Sequence, residues 1–90
     1  MVEDAQALVD ARGLMCPEPV LRTAKAMRGI APGGTLTILA TDPVSAIDIP
    51  YYCHHAGLDV VSVEREDGLL TFTIRKPEQA RALPAKRPIG

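Results

Sequence analysis

The sequence predicts a two-layer α/β sandwich, in which two helices cover one face of a four-stranded mixed sheet in the order strand, helix, strand, helix, strand, strand. Three observations carry that expectation. A stripe of apolar residues at helical spacing follows Pro17 and Pro19. A β-branched run, Thr35 to Ala40, lies between glycines and Asp42-Pro43. Two further strand-like runs flank Glu66-Asp67-Gly68, a hairpin signal.

Residues 1–6 read as a loose start, and Ala7-Leu8-Val9-Asp10 as a short strand ended by Gly13. A helix then runs from Pro17 or Pro19 to Met27. Val20, Leu21, Ala24 and Met27 form its apolar stripe, and Arg22, Lys25 and Arg28 a basic one. Gly29 and Pro32-Gly33-Gly34 stop it. Thr35–Ala40 reads as a central strand. Asp42 is placed to cap a second helix with Pro43 at its first position. Pro50 lacks an N–H and its ring crowds the preceding turn, which predicts a kink or restart near Asp48–Pro50, with Asp48 capping the restarted half. Gly57 ends the segment. Leu58 to Arg65 and Leu69 to Lys76 are the last two strands. In the second of them Leu70, Phe72 and Ile74 alternate with Thr71, Thr73 and Arg75, so one face is buried and the other wet. Residues 1–76 therefore form one domain, and residues 77–90, with Arg81, Lys86, Arg87 and three prolines, a flexible tail.

Composition narrows the function. At 90 residues with 47% apolar content the chain is one globular domain. A net charge of −1, with one Phe, two Tyr and no Trp, argues against binding nucleic acid or an anionic membrane. No run approaches the roughly 20 apolar residues of a membrane span, and the first dozen residues, with Glu3, Asp4 and Asp10, resemble no targeting signal. Two cysteines without zinc-type spacing predict free thiols in a reducing cytoplasm. Cys53-His54-His55 does not read as a metal site, because neighbours on a helix point about 100° apart. Cys53 is expected to pack toward the sheet.

The candidate chemistry lies at Cys16-Pro17-Glu18-Pro19, just after Gly13. Two readings of Cys16 stand side by side: a small core residue at a strand–helix junction, or a reactive thiol on a stiff surface turn. Helix N-termini favour anions. Against that, Pro17 and Pro19 remove N–H donors from the first turn, and Glu18 adds a negative charge that opposes a thiolate. The expectation is a modestly activated thiol, presented by its prolines more than acidified. Arg12, Arg22, Lys25 and Arg28 read either as a solvated helix face or as a docking patch for acidic partner surfaces.

Residues 8–76 resemble the TusA (SirA-like) sulfur-carrier family. The likeness rests on Leu8-Val9-Asp10-Ala11-Arg12-Gly13-Leu14-Met15-Cys16-Pro17-Glu18-Pro19, Pro32-Gly33-Gly34, Asp42-Pro43, Asp48-Ile49-Pro50-Tyr51-Tyr52-Cys53 and Ile74-Arg75-Lys76. It implies a βαβαββ sandwich like the C-terminal domain of bacterial initiation factor three. It also implies that Cys16 accepts sulfur as a persulfide from a cysteine desulfurase or rhodanese-like donor. The sulfur then passes to an acceptor protein in tRNA 2-thiolation, molybdenum-cofactor assembly or sulfur oxidation. No cofactor is implied, since the sulfur is the cargo. The alternative is a regulatory or protein-interaction module on the same fold, which has no need of a thiol.

Overall fold

The computed structural model describes residues 6–78; the expectations for the first residues and for the tail from 79 onward lie outside the described residues. The elements are β1 (Gln6–Ala11), α1 (Glu18–Met27), β2 (Thr35–Ala40), α2 (Ser45–Ala56), β3 (Asp59–Glu66) and β4 (Leu69–Arg75). They form the expected mixed sheet with two helices, with strand order β1-β2-β4-β3. β1 runs parallel to β2, and the other pairs are antiparallel.

The core follows from the period of two. Leu36, Ile38 and Ala40 of β2 stand opposite Ile74, Phe72 and Leu70 of β4, and all six are buried. Each helix meets this face with a line of residues four apart: Pro19, Thr23 and Met27 from α1, and Ser45, Ile49 and Cys53 from α2. The α1 line differs from the expected stripe. Leu21 is exposed, and Thr23 is buried in its place. A polar residue is accommodated there because its hydroxyl donates to the Pro19 carbonyl at 2.8 Å, leaving no unmade hydrogen bond. β3 is one of the two edge strands and is exposed along most of its length. A bulge interrupts its pairing between Val60 and Ser62.

Turn chemistry matches the sequence closely. Asp67 and Gly68 adopt φ of 53° and 82°, the two left-handed positions of the tight turn that a twisted hairpin prefers. α2 ends at Gly57 (φ 76°) with Leu58 N–H donating to the Cys53 carbonyl and Gly57 N–H to that of His54, a Schellman pattern. The far end of the sheet is closed by Lys76. Its ammonium donates to the Met27 and Ile30 carbonyls at 3.2 and 2.9 Å, at and just beyond the α1 C-terminus, where a cation is favoured.

Two expectations for α2 are corrected. Ser45–Ala56 is a single helix with Pro50 inside it and no restart. Asp48 is therefore not a cap in mid-helix but a side chain of the first turn and a half, free to point at a neighbour. The helix also starts later than Asp42-Pro43 implied, after a turn closed by Ser45 N–H to the Asp42 carbonyl. Asp42 still caps in effect, because its carboxylate accepts the Val44 N–H at 3.1 Å.

Candidate functional site

Parallel pairing of β1 and β2 brings their C-terminal ends together, with Ala11 opposite Ala40. Each strand leads through a loop into a helix, so the β1–α1 loop carrying Cys16 and the β2–α2 loop carrying Asp42 lie side by side. Loops at the carboxyl ends of adjacent parallel strands are where α/β proteins commonly place their chemistry.

Specific bonds join the two loops. Gly13, in a left-handed conformation (φ 80°), donates its N–H to Thr41 Oγ1 at 2.9 Å. Cys16 N–H donates to Asp42 Oδ2 at 2.7 Å, while Oδ1 of the same carboxylate takes the Val44 N–H. One aspartate thus holds the cysteine backbone and starts α2. The Cys16 side chain then reaches α2 itself, and its thiol donates to Asp48 Oδ2 at 3.0 Å. Pro17 occupies the N-cap position without any side-chain cap, and the Cys16–Pro17 peptide bond is cis. Pro19 is buried, so α1 is anchored one turn beyond a thiol that is exposed.

The electrostatics correct one expectation. The Cys16 thiol titrates above its ordinary value rather than being modestly activated. The bond to the Asp48 carboxylate is the main cause, followed by loss of solvent and by the negative charges of Asp48 and Asp42. Sequence reasoning assigned the opposing charge to Glu18. In the fold Glu18 pairs with Arg22 at 3.7 Å on the helix surface, and the charges that act on the sulfur come from 26 and 32 residues away. The missed residue is Asp48. The signal was available: a strand–helix–strand–helix order with adjacent parallel strands puts both helix N-termini at the same end of the sheet.

The basic residues are dispersed. Arg12 grips Asp10 with Nε and Nη2 both at 2.8 Å, and this ion pair holds the Asp10 carboxyl down at about 2. Arg22 and Lys25 line an open groove of 880 Å³ between α1 and β1, together with Leu8, Leu21 and Glu18. Arg28 lines a smaller groove of 410 Å³ with Tyr52 and Lys76. Cys53 is fully buried and its thiol is pushed up to about 11 by that burial. His54 and His55 are exposed. The Tyr51 and His55 rings meet at a tilt of 56° with centroids 4.4 Å apart. Among the described residues there is no group of three or more His, Cys, Asp or Glu that could hold a metal ion, and no helix is long and apolar enough to cross a membrane.

Comparison with known proteins places this geometry in a family. The profile of the family described as "Sulfurtransferase TusA" matches residues 7–76. The chain is 42% identical over 76 residues to the sulfur carrier protein TusA of Pseudomonas aeruginosa, covering 84% of this chain and 96% of that protein. It is 40% identical over 70 residues to that of Pseudomonas putida, covering 78% and 88%. Among solved structures, a SirA-like protein from Desulfitobacterium hafniense superposes with a TM-score of 0.71 at 29% identity, covering 80% of this chain and 99% of that one.

Proposed function

This chain belongs to the TusA family of sulfur carriers, and we propose that Cys16 is the residue that carries the sulfur. The observation behind this reading is that the family motif presents an exposed thiol at the joined ends of two parallel strands, while the second cysteine is sealed in the core.

In the proposed reaction the Cys16 sulfur attacks the outer sulfur of a persulfide on a donor protein, a cysteine desulfurase or a rhodanese-like enzyme. A sulfur–sulfur bond forms at Cys16 as the donor's own sulfur–sulfur bond breaks. The Cys16 proton is released and the departing donor thiolate takes one up, so the exchange is neutral in electrons and protons. Handover repeats the exchange: a thiolate of the acceptor protein attacks the outer sulfur and Cys16 leaves as the thiolate. The acceptor serves tRNA 2-thiolation, molybdenum-cofactor supply or sulfur oxidation. Neither step calls for a cofactor. A reducing compartment such as the cytoplasm suits both the free thiol and its cargo. Of the basic residues, Arg22 and Lys25 share the groove beside β1, which supports them as the ones that meet an acidic partner surface; Arg12 and Arg28 are not part of that groove.

Intact mass spectrometry after incubation with a cysteine desulfurase and cysteine tests the proposal. The wild-type chain is expected to gain the mass of one sulfur and Cys16→Ala none. Cys53→Ala is expected to behave as wild type. A gain that persists in Cys16→Ala would refute the assignment.

A further inference from the structure

Cys16 presents an apparent contradiction. It is exposed, as a transfer thiol must be, yet its sulfur is tied to a carboxylate, and the thiolate is the form that attacks. The charged groups that act on the sulfur come from both packed elements, Asp48 from α2 and Asp42 from the loop before it, and both are anions. Arg12, the cation closest to Cys16 along the sequence, is committed to Asp10 through two side-chain bonds. Glu18, beside the cysteine in sequence, is paired with Arg22. The free protein thus contains an arrangement that quiets its own nucleophile.

Taking the sulfur-carrier reading as given, we propose that Asp48 is a guard on Cys16. It accepts the S–H and keeps the exposed sulfur protonated until a partner protein supplies a cationic side chain that pairs with Asp48 and lets the thiolate form.

The geometry supports both parts. Asp48 lies on the first turns of α2 with its carboxylate 3.0 Å from the sulfur, close enough for its charge to oppose ionisation directly. Asp42, by contrast, is doubly occupied by the Cys16 and Val44 N–H groups and serves to hold the loop. A guanidinium or ammonium brought to Asp48 would take over as the carboxylate's partner in a charge-assisted bond. That cancels the repulsion and withdraws the acceptor holding the S–H. Small electrophiles and oxidants carry no such cation and meet a protonated thiol, which is a poor nucleophile. Exposed apolar side chains adjoining the two residues along the chain offer contacts to a protein partner. Met15, next to the cysteine, and Ile47, next to Asp48, are 73% and 72% exposed, and Val44 and Tyr51 of α2 are also exposed. Asp48 is in this sense a specificity-determining residue, selecting donors and acceptors that bring a positive charge.

Asp48→Asn separates the guard from a merely structural role, because two reactions of the same sulfur are expected to move in opposite directions. Modification of Cys16 by iodoacetamide at pH 7, followed by peptide mass, is expected to become severalfold faster, since the opposing charge is gone. Loading by cysteine desulfurase and cysteine is expected to become severalfold slower in kcat/KM, since the partner's cation has lost its counterpart. Alkylation unchanged or slower in a variant with a native circular dichroism spectrum would overturn the guard. Loading that accelerates in step with alkylation would overturn the partner cation. If the variant does not fold, the wild-type chain decides: its Cys16 alkylation must show a higher pH midpoint when folded than in denaturant, and an equal or lower one overturns the proposal. A wild-type chain that the desulfurase fails to load counts against the carrier reading with that donor, while the alkylation comparison still decides the guard.

Discussion

Raising the pH is expected to destabilise this fold through its buried thiol, Cys53. Cys53 is wholly buried among Ile38, Ile49, Phe72 and the rest of the apolar core, and burial pushes its thiol from 9.0 to about 11. In the unfolded chain the same thiol ionises near its ordinary value. Below about pH 9 both states hold the proton and the core pays nothing. Between about 9 and 11 the unfolded chain loses its proton while the folded one retains it, so unfolding becomes progressively more favourable. Each unit of difference is worth about 1.4 kcal/mol, so the loss is about 2 kcal/mol at pH 11 and approaches roughly 3 kcal/mol above it. That is a large share of the roughly 5–15 kcal/mol that stabilises a typical domain. Urea unfolding of the wild-type chain and Cys53→Ala at pH 8 and pH 11 isolates the effect, because Cys16, the tyrosines and the lysines titrate in both proteins and cancel. At pH 8 the variant is expected to be less stable by about 1 kcal/mol, the cost of a small cavity. By pH 11 the order is expected to reverse. A stability difference that stays constant between the two pH values would refute the reasoning and place a partner or water beside the sulfur.

Two further outcomes follow from local geometry. The Asp10 carboxyl is expected to titrate near 2 by NMR, and in Arg12→Ala to return to about 4, since the arginine's bonds hold it down. Gly68→Ala is expected to cost about 1–2 kcal/mol in urea unfolding. An added methyl there would meet nothing within 4 Å, so the whole cost is that of φ at 82°; an unchanged midpoint would show that the turn readily adopts another form.

Much of the architecture was legible because it is written in short-range signals. The alternation in β4, the Asp67-Gly68 turn and the Gly57 stop each depend on residues within a few positions of one another, and the structure reproduces them. The second helix shows where such signals fail. Proline chemistry implied an interruption at Pro50, yet Ser45–Ala56 runs through it. Ile49 and Cys53 bury their side chains against the sheet on either side of the proline, and that packing outweighs one missing N–H. Thr23 is a similar case. The apolar stripe does not include it, while its bond to the Pro19 carbonyl makes a core position acceptable.

The sequence by itself determined which atom is the candidate for chemistry, since a cysteine between Gly13 and two prolines at a helix start already marks an exposed turn, and the family motif singles it out. It also carried the expectation that Cys53 packs toward the sheet, and in the fold that side chain is fully buried. What only the tertiary structure decided is the company Cys16 keeps. Asp48 lies 32 residues along the chain and reaches the sulfur solely because two parallel strands end side by side and deliver two helix starts to one place. Charge acts through a few ångströms of space and not along the chain. The neighbouring Glu18 therefore matters less to the thiol than a distant aspartate does.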